Sequence, residues 1–168
     1  MRHWITFLSL VALISQACAR DWEQEPLPLA PAAASARDGD LKCRDFRNRT
    51  VRVVEIPALG DAGRAEFVQG SPIIMLDPVL MATLPSKLQT FFKLHECAHH
   101  TLGHLFAPTA KSEKEADCWA VQEGRKRAGF VKEDIIAWKP FFAMSRGDAF
   151  GHMPGPQRVE FLLGCFDE

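Results

Sequence analysis

The chain has no tyrosine, although its 168 residues include 12 phenylalanines and 4 tryptophans. A phenol is therefore excluded as acid, base or hydrogen-bond donor in anything the protein does. Net charge is nearly absent too. Lys and Arg number 20 against 21 Asp and Glu, a formal −1, with no long run of either sign. That gives no electrostatic case for binding nucleic acid. The sequence has no internal repeat and no Cys-x-x-Cys pair, which argues against a four-cysteine metal site. Its one extended hydrophobic run is too short to span a bilayer as a stable helix. The remaining material, 47% apolar, is enough for one packed domain with appendages.

That run opens the chain. Met1-Arg2-His3 is a short basic start, and Trp4 to Ile14 is apolar except for Thr6 and Ser9. Ser15-Gln16-Ala17-Cys18-Ala19 then offers small residues for cleavage after Ala17 or Ala19. The pattern predicts a signal peptide over residues 1–19, and hence an exported protein, periplasmic or secreted. A buried N-terminal helix is the alternative. Cys18 adds the option of a lipid anchor in the cell envelope, although Ser15 stands where a lipobox has an aliphatic residue. Residues 20–40 hold Pro26, Pro28 and Pro31 among alanines and single charges, and read as a disordered linker. The folded domain is expected over residues 41–168.

Four cysteines remain after the signal region: Cys43, Cys97, Cys118 and Cys165. In an oxidising compartment an even set is a natural disulfide framework with three possible pairings. Free buried thiols are the alternative.

The domain reads as α+β. Val51–Ile56, Arg64–Gln69 and Pro72–Leu76 are short apolar or β-branched runs separated by turn signals, and predict a small antiparallel sheet. Helical spacing then takes over. A helix is expected from Lys87 to about Phe106, with Ser86 and Gln89 as a capping box. A second should begin at Ser112, capped with Glu115, and stop near Ala128 before Gly129. Two shorter helices are expected at Lys132–Trp138 and Gln157–Leu163.

The first long helix carries His95-Glu96-Cys97-Ala98-His99, the H-E-x-x-H pattern of zinc hydrolases. The spacing has a physical reason. Four residues of α-helix turn through about 400°, so His95 and His99 share one face, one turn apart, and can grip one ion. Glu96 then stands beside the ion's open position as a general base. A catalytic zinc needs a third protein ligand. Extension of the helix to x-x-G-x-x-H fails, because Leu102 and Leu105 occupy those places and Gly103 and His104 are out of register. The next helix offers Glu113 as ligand. Asp117, one turn later on the same face, can accept the other ring N–H of a ligating histidine. Glu115 is the rival ligand, with its cap as its other employment. His100 and His104 share a different face, as a hydrogen-bonded or solvent-facing pair or as a second metal site.

His95-Glu96-x-x-His99 followed by Glu113-x-x-Ala116-Asp117 resembles the HtpX/CAAX-prenyl-protease type of gluzincin zinc peptidase. Residues 151–158, Gly-His-Met-Pro-Gly-Pro-Gln-Arg, are similar to a later segment of that family, with Met153 in place of a proline. The resemblance spans roughly residues 71–166. With no transmembrane segments after the signal and a very short gap from His99 to Glu113, the resemblance is to a minimal soluble, minigluzincin-like form. The resemblance implies a zincin-like domain, with the sheet packed on the active-site helix. It also implies Zn2+ as cofactor and a peptide or protein substrate. It places His152 near the metal as a donor to the developing oxyanion, and Arg158 beside it. The alternatives are a loop histidine and a structural ion pair. The strand at Pro72–Leu76 would offer an edge to an extended substrate. A Cys97–Cys118 bridge would clamp the two ligand-bearing helices, with Cys43–Cys165 as its complement. The competing readings of the whole are an exported zinc-binding module or pseudoprotease, and an envelope lipoprotein without metal.

Overall fold

Gln69 and Gly70 both have positive φ, 50° and 76°, and so form the tight turn that folds two short strands into a hairpin. The strands are β2, Gly63–Val68, and β3, Ser71–Leu76, paired antiparallel from Gly63 beside Leu76 to Val68 beside Ser71. A third strand, β1, spans Arg52–Glu55 and lies on the other side of β3. It runs parallel to β3, Arg52 beside Ile73 and Glu55 beside Leu76. The expected antiparallel sheet is therefore a mixed one. A tight hairpin forces antiparallel pairing, but the longer connection 56–62 lets β1 enter on the far side in the same direction as β3. The computed structural model describes residues 42–143, 145–147 and 151–167. The signal segment, Cys18 and the linker lie outside them.

β3 is central, with Ile73, Ile74 and Leu76 buried. Both its ladders are taken, so it has no edge to offer a substrate; the edges belong to β1 and β2. Asp77 follows and caps α1, Pro78–Ala82, by accepting the N–H groups of Val79 and Leu80 at 2.9 and 3.1 Å. This one-turn helix is too short to leave a periodic signal.

The long helix α2 runs Ser86–Thr101. Its expected capping box is not formed, because Pro85 holds the cap position and Gln89 turns its amide to the Leu84 carbonyl, 2.9 Å away. It ends before Phe106. Gly103, at φ 77°, turns the chain back, and two hydrogen bonds close the end: Gly103 N–H to His100 O and His104 N–H to His99 O. That pair is a Schellman motif.

Helix α3, Ser112–Ala128, stops at Gly129 in the left-handed region, as the sequence implies. Its capping box is also absent. Ser112 accepts from the Thr109 N–H at 2.9 Å, and Glu115 is engaged elsewhere. Three further helices follow: α4, Lys132–Ala137; α5, Lys139–Phe142; and α6, Gly155–Asp167. The helical core joins Leu88, Phe91 and Leu94 of α2 to Val121, Trp138 and Leu162. Each such side chain contributes about 1.5–3 kcal/mol by leaving water. A second cluster, including Cys43, Ile74, Met81 and Cys97, packs the sheet on α2. The described residues thus form an α+β unit of one three-stranded mixed sheet and six helices.

The disulfides are Cys43–Cys97 and Cys118–Cys165, with Cα separations of 5.8 and 4.9 Å. This overturns the expected Cys97–Cys118 and Cys43–Cys165 pairing. Cys97 faces the sheet-side cluster, whereas Cys118 packs with the helical core beside α6. The two therefore sit in different layers. Two bridges fit an oxidising, extracellular environment. No helix among the described residues is long and apolar enough to cross a membrane.

Candidate metal centre

One turn of α2 separates His95 from His99, and their Nε2 atoms face each other at 3.1 Å. The first turn of α3 brings Glu113 against both. Its Oε2 lies 3.2 Å from Nε2 of His95 and its Oε1 3.5 Å from Nε2 of His99. Donors 2.0–2.1 Å from a tetrahedral zinc stand about 3.3 Å apart. The His95–His99 separation is close to that length, and one donor atom from each of the three residues lies within 4.8 Å of the others, so a group of one carboxylate and two imidazoles could hold a small ion.

The rings are fixed from behind. Nδ1 of His95 lies 2.9 Å from Oδ1 of Asp117. A carboxylate only accepts, so His95 donates from Nδ1, and in the neutral ring its Nε2 lone pair faces Glu113 and His99. Arg158 binds both oxygens of Asp117, Nη2 to Oδ1 at 2.7 Å and Nε to Oδ2 at 3.0 Å. Its Nη2 is also 3.4 Å from His95 Nδ1, but in this tautomer both atoms are donors, so that contact is not a hydrogen bond. Arg158 is buried, bonds Asp117 through Nε and Nη2, and also lines the cleft described below.

The charges follow. Burial pushes the Asp117 carboxyl up, but the Arg158 guanidinium and the His95 contact outweigh it and hold the pKa below the ordinary value. Burial would lower the pKa of His95. Its bonds to Asp117 and Glu113 dominate and raise it to about 9. Burial raises Glu113, yet the rings of His152, His95 and His99 bring it far below the usual carboxylate range. The metal-free cluster thus takes a proton where a cation fits.

His152 arrives on the segment before α6 and places Nε2 2.8 Å from Oε2 of Glu113. It lines a cleft of about 130 Å³ with Asp61, Phe92, Glu96 and Ser145. Glu96 is 8% exposed. Burial raises its pKa, against the lowering effect of His95 and His99. Gly63, the first residue of β2, packs against Glu96, and α2 packs on β2.

His100 and His104 do not form the expected pair. His100 is buried and donates from Nε2 to the Ile73 carbonyl at 3.0 Å, tying α2 to β3; burial lowers its pKa. His104 lies beyond the helix end. Its Nδ1 is 3.2 Å from Nδ1 of His99, and its Nε2 is 3.1 Å from Oε2 of Glu115. Glu115 is therefore neither cap nor third ligand. Sequence reasoning missed the His104–Glu115 link. The signal was present in Gly103, which folds the next residue back over His99. Asp61 and Ser145 were missed as well, and no local pattern marks them, because long-range packing brings them to the cleft.

No protein-family model matches the chain, and comparisons with curated proteins and with solved structures find no match.

Proposed function

We propose that the protein is an exported zinc-dependent endopeptidase with a zincin-like domain of minimal gluzincin type. One observation carries the reading. Donors of His95, His99 and Glu113 converge to within 4.8 Å of one another beside a cleft lined by Glu96. His95, His99 and Glu113 would hold the zinc, leaving a position open toward the cleft. When bound, zinc supplies a Lewis acid that acidifies a water and polarises a carbonyl.

The chain's own residues do the rest. Glu96 takes the proton of the attacking water and passes it to the leaving amine. Asp117, backed by Arg158, keeps His95 in the tautomer a metal requires. With Glu113 committed to the ion, the Nε2–H of His152 is placed to donate to the carbonyl oxygen as charge develops. With no tyrosine in the chain, His152 takes that task, while Arg158, which also lines the cleft, serves to hold Asp117. The edge strand β2, starting against Glu96, would receive an extended peptide by main-chain pairing.

A second reading, an exported zinc-binding module, draws support from the 2.8 Å contact of His152 with Glu113. A fourth ligand there would close the site. The deciding experiment is peptidase activity and zinc content of the mature protein, compared with Glu96→Gln and Glu113→Ala. The endopeptidase expects zinc retained and cleavage lost in Glu96→Gln, and zinc lost in Glu113→Ala. Undiminished cleavage by Glu96→Gln would sink the mechanism. Stoichiometric zinc with no cleavage by the wild type on any peptide library would favour the module.

A further inference from the structure

Each imidazole that presents Nε2 to a metal must place its Nδ1–H somewhere. For His95 the acceptor is Asp117. For His99 the nearest partner is another imidazole, Nδ1 of His104 at 3.2 Å. Two facing ring nitrogens share a single proton, so one must donate and the other accept. Glu115 decides which. Its Oε2 lies 3.1 Å from Nε2 of His104, and a carboxylate only accepts. The Nε2 of His104 therefore carries its proton. In the neutral ring Nδ1 is bare, and it takes the Nδ1–H of His99. The lone pair of His99 Nε2 is then left facing His95 and Glu113.

The fold builds this relay from the end of α2. In a Schellman motif the residue after the left-handed glycine folds back over the residue five before it, usually with an apolar contact. Here Gly103 is the glycine, His104 N–H bonds to His99 O at 3.0 Å, and the apolar contact is replaced by the pair of rings. His104 is 6% exposed, so water is a poor substitute for its ring. Glu115, two residues past Glu113 on α3, closes the chain from the helix that also supplies the carboxylate of the cluster.

We propose that His104 and Glu115 are positioning residues for zinc. They fix the tautomer and ring plane of His99 as Asp117 and Arg158 fix those of His95. The inference rests on the reading of His95, His99 and Glu113 as zinc ligands.

The test is zinc affinity by chelator competition on the full mature protein, with far-UV circular dichroism as the fold control. His104→Leu removes the acceptor and should weaken zinc binding by about 10–100-fold. His104→Asn sets an amide oxygen near the Nδ1 position and should recover most of that loss. Glu115→Ala, whose side chain is 52% exposed, should keep the fold and cost a few-fold in affinity. If His104→Leu fails to fold, the Asn and Glu115 variants still decide. Wild-type affinity in all three overturns the proposal. An equal loss in Leu and Asn with an intact fold also overturns it, because that marks a packing role. If the wild type itself binds no zinc, the underlying ligand reading fails instead.

Discussion

Glu96 rests directly against Gly63. A Cβ built on Gly63 would come within 2.9 Å of Cγ of Glu96 and 3.1 Å of Cδ2 of Leu76. The backbone of β2 and the proposed base are thus packed with no room between them. Gly63→Ala must push a mid-chain carbon of a buried Glu96, not a mobile tip. The expected outcome is a fall in kcat of at least tenfold, with zinc affinity within about twofold of wild type. A 1 Å misplacement of a catalytic group is worth about 10²-fold. Steady-state kinetics beside chelator competition checks it, and unchanged kcat would remove Glu96 from the reaction.

The Arg158–Asp117 pair lies between the helical core and the cluster. Removing one partner of a buried ion pair leaves the other charge stranded, at a cost of about 3–5 kcal/mol. Asp117→Asn is expected to lower the unfolding free energy from urea titration by about that much and to weaken zinc binding at the same time. Arg158→Met should lower stability too, but affect zinc less, because His95 keeps its acceptor. Equal effects of the two on zinc would show that Asp117 does not act through His95.

Peptide mapping without reduction should recover Cys43 linked to Cys97 and Cys118 linked to Cys165. The bridges close loops with sequence separations of 54 and 47. Loss of either is expected to cost about 2–5 kcal/mol. The Cys118→Ala/Cys165→Ala double variant should therefore show a thermal midpoint several degrees lower, while zinc binding persists. A Cys97–Cys118 peptide would contradict the layer arrangement.

Acid should destabilise the protein through carboxylates remote from the cluster. Asp77 accepts the N–H of Leu80 first among its contacts, and its pKa lies below the ordinary 3.8. Asp134 is raised by burial but lowered more by Lys87, 2.6 Å away, and by the Val131 N–H. A folded-state pKa below the unfolded one gives stability that is complete above about pH 3.8 and is lost as pH falls through the folded value. Thermal midpoints should thus begin to drop as pH falls below about 4. Asp77→Asn keeps a good cap but cannot titrate, and should flatten the drop. Parallel curves for variant and wild type would rule Asp77 out as a contributor.

Chelation should lower the thermal midpoint without unfolding the protein at room temperature. The metal-free cluster remains paired, because Asp117 and Glu113 hold a proton on His95 with a pKa of about 9. Free zinc at 100 times its Kd adds about 2.7 kcal/mol. Differential scanning of Glu113→Ala should show no midpoint change on adding zinc. A shift as large as that of the wild type would place the ion elsewhere.

What could be read in advance depended on distance along the chain. His95 with His99, and Glu113 with Asp117, are four residues apart, and helical geometry alone puts each pair on one face. Gly129 announced the end of α3 because a left-handed cap suits glycine. Both expected capping boxes failed for a common reason. Ser86 and Ser112 lie inside the first turn rather than before it, and Gln89 and Glu115 found better partners in Leu84 O and His104.

The amino-acid sequence by itself determined which side chains stand on which helical face, since a period of 3.6 residues is enforced by backbone hydrogen bonds within each helix. Only the tertiary structure decided what those faces meet. The crossing of residues 56–62 made the sheet mixed. Packing in two layers chose Cys43 for Cys97. The fold-back at Gly103 gave His99 its partner in His104. These outcomes depend on contacts between distant segments, where many pairings satisfy the same local pattern and the jointly buried surface selects one.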